Sequence, residues 1–445
     1  MSVVQPSSEL VAQTVWPVDR IKDHVWKIGS GLTPSGGAAS YLDAGIPLLR
    51  SQNVHFDGLR LDDVAYIAGD THEEMSGTKL RARDVLLNIT GASIGRCAFV
   101  PDGFGEGNVN QHVCIIRPAP KLNYKFLTYC LSAPRGQDQI FSSFTGASRQ
   151  GLGQRDLGEI QVPLPPLPEQ QRIAAYLDAS CAAIDAAVAA KRRQLETLDA
   201  VRESVVESAV TKGVRPNALM RPVNQDWINE IPAHWEVCRI KRIVSRVDYG
   251  ISESTEPEGR YPVLKMGHIQ RGEIEYRDLD FVDEVSDDLL LETSDLLYNR
   301  TNSPDQVGKA AIVRRRRTDE ITFASYLVRL RTNHRADPYF LNYLVNSSGF
   351  LSFARKLAIP SVQQSNLNST RYCRMLILRP PIEEQRAIAA YLDTRLAQLG
   401  HVVEGIESQI ATLTAYRKSL IHECVTGQRR ISELDLRRAS SGRER

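Results

Sequence analysis

From residue 380 onward the apolar positions follow one repeat. Leu392, Leu396, Leu399, Val403, Ile406, Ile410, Leu413, Leu420 and Cys424 advance by alternating steps of four and three, with only Arg417 interrupting. That is an a/d heptad seam held over more than four heptads, and it predicts a long helix that pairs with another helix. The stretch after residue 167 carries the same frame in Leu177, Cys181, Ile184, Val188, Leu195, Leu198, Val205 and Ala209. Lys191 occupies one d position, and Arg202 and Arg417 occupy equivalent a positions. Polar residues on a seam lower stability but fix register and partner. Pro168 suits a first helical turn, where its missing N–H is no loss. Glu169, Glu383 and Glu384 stand at the positive end of the helix dipole, and Gly213 and Gly427 follow as C-terminal stops. Each helix should then run roughly 45 residues, about 65–70 Å. A helix buried within its own domain is the simpler alternative; two seams of identical phase favour mutual pairing.

The two helices head a duplication. Pro165 to Asp178 reads PPLPEQQRIAAYLD, and Pro380 to Asp393 reads PPIEEQRAIAAYLD, identical at ten of fourteen positions at an offset of 215. Leu198, Arg202, Ser204, Val210 and Thr211 match Leu413, Arg417, Ser419, Val425 and Thr426 at the same offset. Upstream, Ile46-Pro47-Leu48-Leu49-Arg50 parallels Tyr261-Pro262-Val263-Leu264-Lys265, and Asp84-Val85-Leu86-Leu87-Asn88 parallels Asp295-Leu296-Leu297-Tyr298-Asn299. The chain is two copies of one unit, each a variable globular part followed by a well-preserved helical part.

The globular parts read as mixed α/β. Short apolar runs such as Val85-Leu86-Leu87 and Val113-Cys114-Ile115-Ile116 suggest strands, 124–131 and 339–345 suggest short helices, and glycine-rich turns at 29–31, 91–95 and 103–107 punctuate the first copy. The expected fold class is α+β: two mixed α/β domains separated by two long helices that form an intramolecular antiparallel coiled coil, with a pseudo-two-fold internal repeat. The expected boundaries are an N-terminal extension at 1–15, domains at 16–164 and 214–379, helical spacers at 165–213 and 380–427, and a basic, partly disordered tail at 428–445.

Composition narrows the function. Lys+Arg 55 against Asp+Glu 53 leaves a net charge of +2, so a nucleic-acid surface must be a local patch. Seven cysteines form no CxxC pair, which suits a reducing compartment and no zinc site. With no signal pattern and no apolar run approaching a membrane span, a soluble cytoplasmic protein is expected.

Catalytic motifs are missing from the sequence. There is no GxxxxGK[ST] loop, HExxH, GxSxG or Asn-Pro-Pro-aromatic segment, and Gly103-Phe104-Gly105-Glu106-Gly107-Asn108 lacks the last glycine of GxGxxG. Pro101-Asp102 and Pro304-Asp305 lack the downstream acid-x-Lys of a metal-dependent nuclease. The expectation is no chemistry, no bound metal and no cofactor of the chain's own. What remains are polar clusters on loops. Arg314, Arg315, Arg316 and Arg317 repel one another and call for solvent or an anion such as phosphate. Ser148-Arg149-Gln150 and Gln363-Gln364-Ser365-Asn366 hold equivalent places; arginine can pair with guanine O6/N7, and glutamine or asparagine with adenine N6/N7. Arg81, Arg83 and Arg96 are further DNA-binding candidates. For each of these clusters a solvated loop without a ligand is the alternative.

The two proline–glutamate–glutamine helix starts, PPLPEQQRIA from Pro165 and PPIEEQRAIA from Pro380, resemble those of the specificity subunits of type I restriction–modification systems. Ile231-Pro232-Ala233-His234-Trp235 resembles the opening of a second recognition domain, and the 90–95 turn adds support. In the second copy a longer Asn-Ser-Pro-Asp segment replaces that turn. The resemblance covers nearly the whole chain. It implies two target-recognition domains, each reading half of a bipartite sequence in double-stranded DNA, and helices serving as spacer and docking surface. It also implies partners: two methyltransferase subunits that use S-adenosylmethionine, and restriction/translocase subunits that use ATP and Mg²⁺. An antiparallel helix pair suits the dyad of duplex DNA, with half-sites about one helical turn (roughly 34 Å) or more apart. The docking candidates are Glu169, Gln170, Ile173, Tyr176, Glu384, Gln385, Ile388 and Tyr391; packing of Ile173 and Tyr176 against their own domain is the alternative. Two other readings stay open here: a single-chain methyltransferase or nuclease with duplicated recognition domains, and a coiled-coil protein scaffold that never touches DNA.

Overall fold

The computed structural model describes residues 15–145, 151–314, 320–361 and 364–441. Two compact units emerge, residues 1–191 with 407–445, and residues 192–406. Each unit therefore gathers one globular domain and part of both long helices, so the linear order of domain, helix, domain, helix is not the order of packing.

In the first unit a four-stranded antiparallel sheet runs Val25–Ser30, Val113–Pro118, Val85–Asn88, Cys97–Phe99. A smaller sheet sets Ile46–Leu49 between antiparallel Ala65–Ile67 and parallel Asn108–Val109. The second unit repeats both: Val244–Tyr249, Leu327–Thr332, Leu296–Asn299, Ala310–Ile312 in one sheet, and Asp280–Val282, Tyr261–Leu264, Thr322–Phe323 in the other, with the same single parallel pair. Three of the four central strands open as apolar runs covered on both faces, and Arg329 and Arg331 interrupt the fourth, Leu327–Thr332. Successive side chains alternate sides. Val85, Leu87, Cys114 and Ile116 join the core containing Phe126 and Leu127 of the helix Tyr124–Ser132, while Leu86, Val113 and Ile115 join a second core with Leu49 and Val109. The second unit adds a hairpin, Met220–Gln225 with Ile228–Pro232, and a three-stranded sheet of Thr301–Asn302, Gln364–Asn366 and Ile359–Ser361.

The long helices span Leu167–Lys212 and Ile382–Thr426, 46 and 45 residues, close to the length the seams imply. Gly213 and Gly427 end them in the left-handed conformation, at φ +77° and +79°. In the first unit Ile173, Leu177, Cys181 and Ile184 share a core with Leu420, Ile421, Cys424 and Val425; in the second, Ala209 and Val210 share one with Ile388, Ala389 and Leu392. The start of one helix packs with the end of the other in each unit. Leu177, Ile184, Leu392 and Ile406 are buried, and Val188, Leu195, Leu198, Leu399, Val403, Ile410 and Leu413 are half-buried with exposed neighbours between them.

Two expectations are corrected. The 428–445 segment is no loose tail over its described part. Ser432 and Asp435 form a capping box (Ser432 N–H to Asp435 Oδ2 3.0 Å, Asp435 N–H to Ser432 Oγ 3.2 Å) that starts a helix at Glu433–Ser441. Ile431 is buried in the first unit's core with Leu436 and Ala439 against it, and the Arg430 guanidinium lies 3.7 Å from the Trp16 ring centroid. Further, the first long helix holds an 18-residue window of mean hydropathy 1.5, apolar enough by length and composition to cross a membrane. Alanine dominates that stretch, and its large apolar residues Ile173, Tyr176, Leu177 and Ile184 are spent in the core.

Candidate nucleic-acid interface

The central strand of each large sheet is anchored at its start by a buried ion pair. Arg117 grips Asp84 through Nε and Nη2, both at 2.7 Å, and Arg331 grips Asp295 through Nε at 2.8 Å and Nη2 at 2.9 Å. Both aspartates are fully buried, where a two-pronged, charge-assisted contact is strong and fixes orientation. Asp248 is held below the usual carboxylate range: burial works against its charge, and the hydrogen bonds from Arg329 and Arg246 outweigh it.

At the other end of the strand the backbone makes the same crossing in both units. Ile89 N–H reaches His112 O at 3.0 Å and accepts from Leu152 N–H at 2.8 Å; Arg300 N–H reaches Tyr326 O at 3.0 Å and accepts from Leu367 N–H at 2.8 Å. Glycine is required where a further segment passes: a Cβ on Gly31 would lie 2.0 Å from Val109 O, and on Gly250 2.1 Å from Phe323 O.

One scaffold thus presents two different sets of side chains. In the first unit, Thr90 Oγ1 meets His112 Nδ1 at 2.6 Å and Gln111 Nε2 meets His112 Nε2 at 3.0 Å. In the second, the Arg300 guanidinium lies 5.0 Å from the centroid of Tyr249, whose hydroxyl meets Ser369 Oγ at 2.7 Å. Beside it Asn366 donates to Thr301 Oγ1 at 2.7 Å, Gln364 is exposed, and Tyr326 stands 46% exposed. Arg246, Arg329 and Arg331 of the adjoining sheet each meet a carboxylate. Among the described residues Arg300 meets none; an aromatic ring carries it, and its Nε donates only a long hydrogen bond to Thr301 Oγ1 at 3.4 Å.

Of the DNA-binding candidates, Gln364 and Asn366 lie on this edge. In the first unit Arg96 is half-buried on the turn that follows the strand Val85–Asn88, with no ion pair among the described residues. Arg81 and Arg83 do not join them. They precede Asp84 at the opposite end of the strand, and Arg83 is bound to Asp102 at 2.9 Å. Arg314 is also elsewhere: Glu273 at 2.7 Å, Asp393 at 3.0 Å and the Tyr343 hydroxyl at 3.2 Å consume its guanidinium. Ser148, Arg149, Gln150, Arg315, Arg316, Arg317 and Gln363 lie outside the described residues. Thr90, His112, Tyr249, Arg300 and Tyr326 were missed. The signal was available: residues 89 and 300 are the first to differ after strands that match between copies.

The docking set is largely turned inward. Gln170 is 1% exposed, its Oε1 accepting from Asn123 N–H at 2.8 Å and its Nε2 donating to Lys121 O and Pro165 O; Gln385 repeats this with Asp337, Arg335 and Pro380. Ile173 and Ile388 are core, Tyr176 is buried under Arg429, Glu169 pairs with Arg172, and Glu384 meets His234 at 2.7 Å. Only Tyr391 of the eight is exposed. The motif staples each recognition domain to its helix, because buried amides must find partners, and the own-domain packing considered for Ile173 and Tyr176 is what occurs. Among the described residues no three His, Cys, Asp or Glu side chains are grouped to hold a metal.

Residues 47–197 match the model of the type I restriction modification DNA specificity domain. The specificity subunit of the type I restriction enzyme EcoKI of Escherichia coli (strain K12) is 21% identical over 88% of this chain and 84% of its own. The MjaVIII specificity subunit of Methanocaldococcus jannaschii is 25% identical over 94% of each. Among solved structures, a chain from a study of complex assembly and conformational transition of the type I R-M system superposes with a TM-score of 0.71 at 17% identity, over 92% of this chain and 97% of that one. The HsdS subunit of Thermoanaerobacter tengcongensis gives 0.51 at 17% identity, over 93% and 97%. The duplicated helix starts and the repeated sheet thus go with one consistent likeness: a type I restriction modification DNA specificity domain over residues 47–197, and similarity along most of the chain to type I restriction enzyme specificity subunits.

Proposed function

We propose that the chain reads a bipartite sequence in double-stranded DNA, one half-site per globular domain. It acts as the recognition component, while chemistry belongs to the subunits it recruits. The observation that carries this reading is the crossing shared by Ile89 and Arg300, where one backbone arrangement displays Thr90, Gln111 and His112 in one unit and Arg300, Tyr326 and Asn366 in the other. Two readers of different base sequences should share a frame and differ in what it presents. Arg300 suits guanine O6/N7, and Gln111 or Gln364 suits adenine N6/N7.

In the same proposal the long helices pair along their seams as an antiparallel coiled coil that sets half-site spacing. Two methyltransferase subunits bring S-adenosylmethionine, and restriction/translocase subunits bring ATP and Mg²⁺. The work is done where chromosomal and incoming DNA meet, in the cytoplasm. Mapping methylated sites in a genome carrying the chain with its partners tests the reading. The expected result is one asymmetric pair of short sequences at fixed spacing, altered in one half only by changes at Arg300, Tyr326 or Asn366. Changes in both halves, or in neither, would refute it.

A further inference from the structure

Each unit has a cleft bounded by a small hairpin, a short helix and the long helices, and the two clefts differ in chemistry. In the first unit Phe56, Leu59, Leu61 and Phe104 line it, and the seam residue Arg417 is neutralised by Asp185 at 3.1 Å. In the second, a cleft of about 350 Å³, the matching seam residue is Arg202. The position matching Asp185 is Gly400, and Arg202 has no ion pair among the described residues.

Three more cations line that second cleft. Arg271 is tied to Asp199 at 3.1 Å, Lys309 donates to Gln306 at 2.6 Å, and Arg355 reaches the carbonyl of Asp305. Glu203 is the only other acid lining it, so four cations face two carboxylates. Burial, and then the adjacent Arg355 charge, hold Lys309 below the usual lysine range; Asp305 opposes this and Arg271 adds to it. A polar atom waits there as well. Ser347 is 2% exposed and its Oγ has no partner among the described residues, while Glu207 takes Ser348 Oγ and Gly349 N–H at the start of the helix Ser348–Leu357. Among the described residues the Arg355 Nε is likewise buried and unpartnered. Excess positive charge among the lining side chains, an unused hydroxyl just before the helix and an unused guanidinium N–H from its last turn line one space, while Glu207 already caps the helix N-terminus itself.

We propose that this cleft binds a phosphate oxyanion, with Lys309, Arg355 and Ser347 contacting its oxygens and Arg202 completing the charge balance. None of the residues presented for base reading lines it, so the site stands whether or not that reading holds. A free phosphorylated ligand and the phosphodiester of DNA offer the same oxygens, and two arms separate them. The full-length chain is titrated with inorganic pyrophosphate at constant ionic strength, and separately with a duplex of random sequence across a salt series. For a free ligand, pyrophosphate binds saturably, Lys309→Gln and Arg355→Gln each weaken it about tenfold or more, and Ser347→Ala weakens it less. For a phosphodiester, pyrophosphate fails to bind and the same variants lower the salt slope of duplex binding by about 1. Glu203→Gln removes a repelling charge and tightens whichever ligand binds, a gain that a misfolded variant cannot imitate. No pyrophosphate binding together with an unchanged salt slope in every variant overturns the proposal.

Discussion

The side-chain oxygen of Gln170 accepts the backbone N–H of Asn123 at 2.8 Å, and Gln385 repeats the contact with Asp337 at 2.9 Å. These glutamines stand at the same step of the duplicated motif, and each closes the gap between a long helix and the loop that begins a short helix in its own domain. Gln170→Leu would keep the volume and strand Asn123 N–H, Lys121 O and Pro165 O without partners. The expected loss is about 2–4 kcal/mol in urea unfolding, from several buried groups left unsatisfied. Gln171→Ala, on the exposed side of the same turn, should stay within about 0.5 kcal/mol. Equal effects from both would remove the staple.

The Arg300 guanidinium lies over the face of Tyr249, and the proposed base reading makes a specific demand on it. Arg300→Ala should relax one base position in one half-site, with about 1–3 kcal/mol of discrimination lost, and leave the other half-site intact. Arg300→Lys keeps the charge but loses the planar fork and the stacking, so relaxation should persist. Methylation mapping of the two variants reads both outcomes.

Arg329 has no exposed surface, and Asp248 meets it at 3.0 and 2.6 Å. Asp248→Ala leaves a buried charge short of its partner, and about 3–5 kcal/mol of stability should go with it. The Arg83–Asp102 pair is mostly exposed and screened by solvent, and Asp102→Ala should cost far less. The Asp248 carboxylate is depressed, so its contribution is complete above the unfolded value near pH 4 and is lost as pH falls through the folded one. Acid unfolding of the wild type should steepen below about pH 4. Asp248→Asn should show less of that dependence, measured by fluorescence across pH.

Under the ruler reading, a seven-residue deletion within 180–205 preserves the heptad phase and shortens the helix by about 10 Å. Half-site spacing should fall by about 3 base pairs while the half-sites stay the same. A four-residue deletion breaks the phase and should reduce activity more. Genome-wide methylation patterns separate these outcomes, and altered bases at unaltered spacing would end the ruler idea.

Much of the architecture was legible because it is periodic. The steps at Leu392, Leu396 and Leu399 marked a helix whose ends Gly427 and the Pro380-Pro381 pair confirmed, and Val85-Leu86-Leu87 read as a strand, which the fold then buries on both faces. The site was less legible. Arg314 belonged to the densest basic run, yet Glu273 and Asp393, 41 and 79 residues away, claim it. Arg300, which meets no carboxylate among the described residues, had no basic neighbour in the chain to draw attention.

Repetition, helix length, helix ends and the alternation of buried strands were determined by the chain alone, since each depends on the spacing of residues a few positions apart. Whether a charged side chain was free or neutralised, and whether a glutamine faced a partner or its own domain, was decided only by tertiary structure. Such outcomes depend on groups brought within about 3 Å from distant parts of the chain, and no local spacing encodes them.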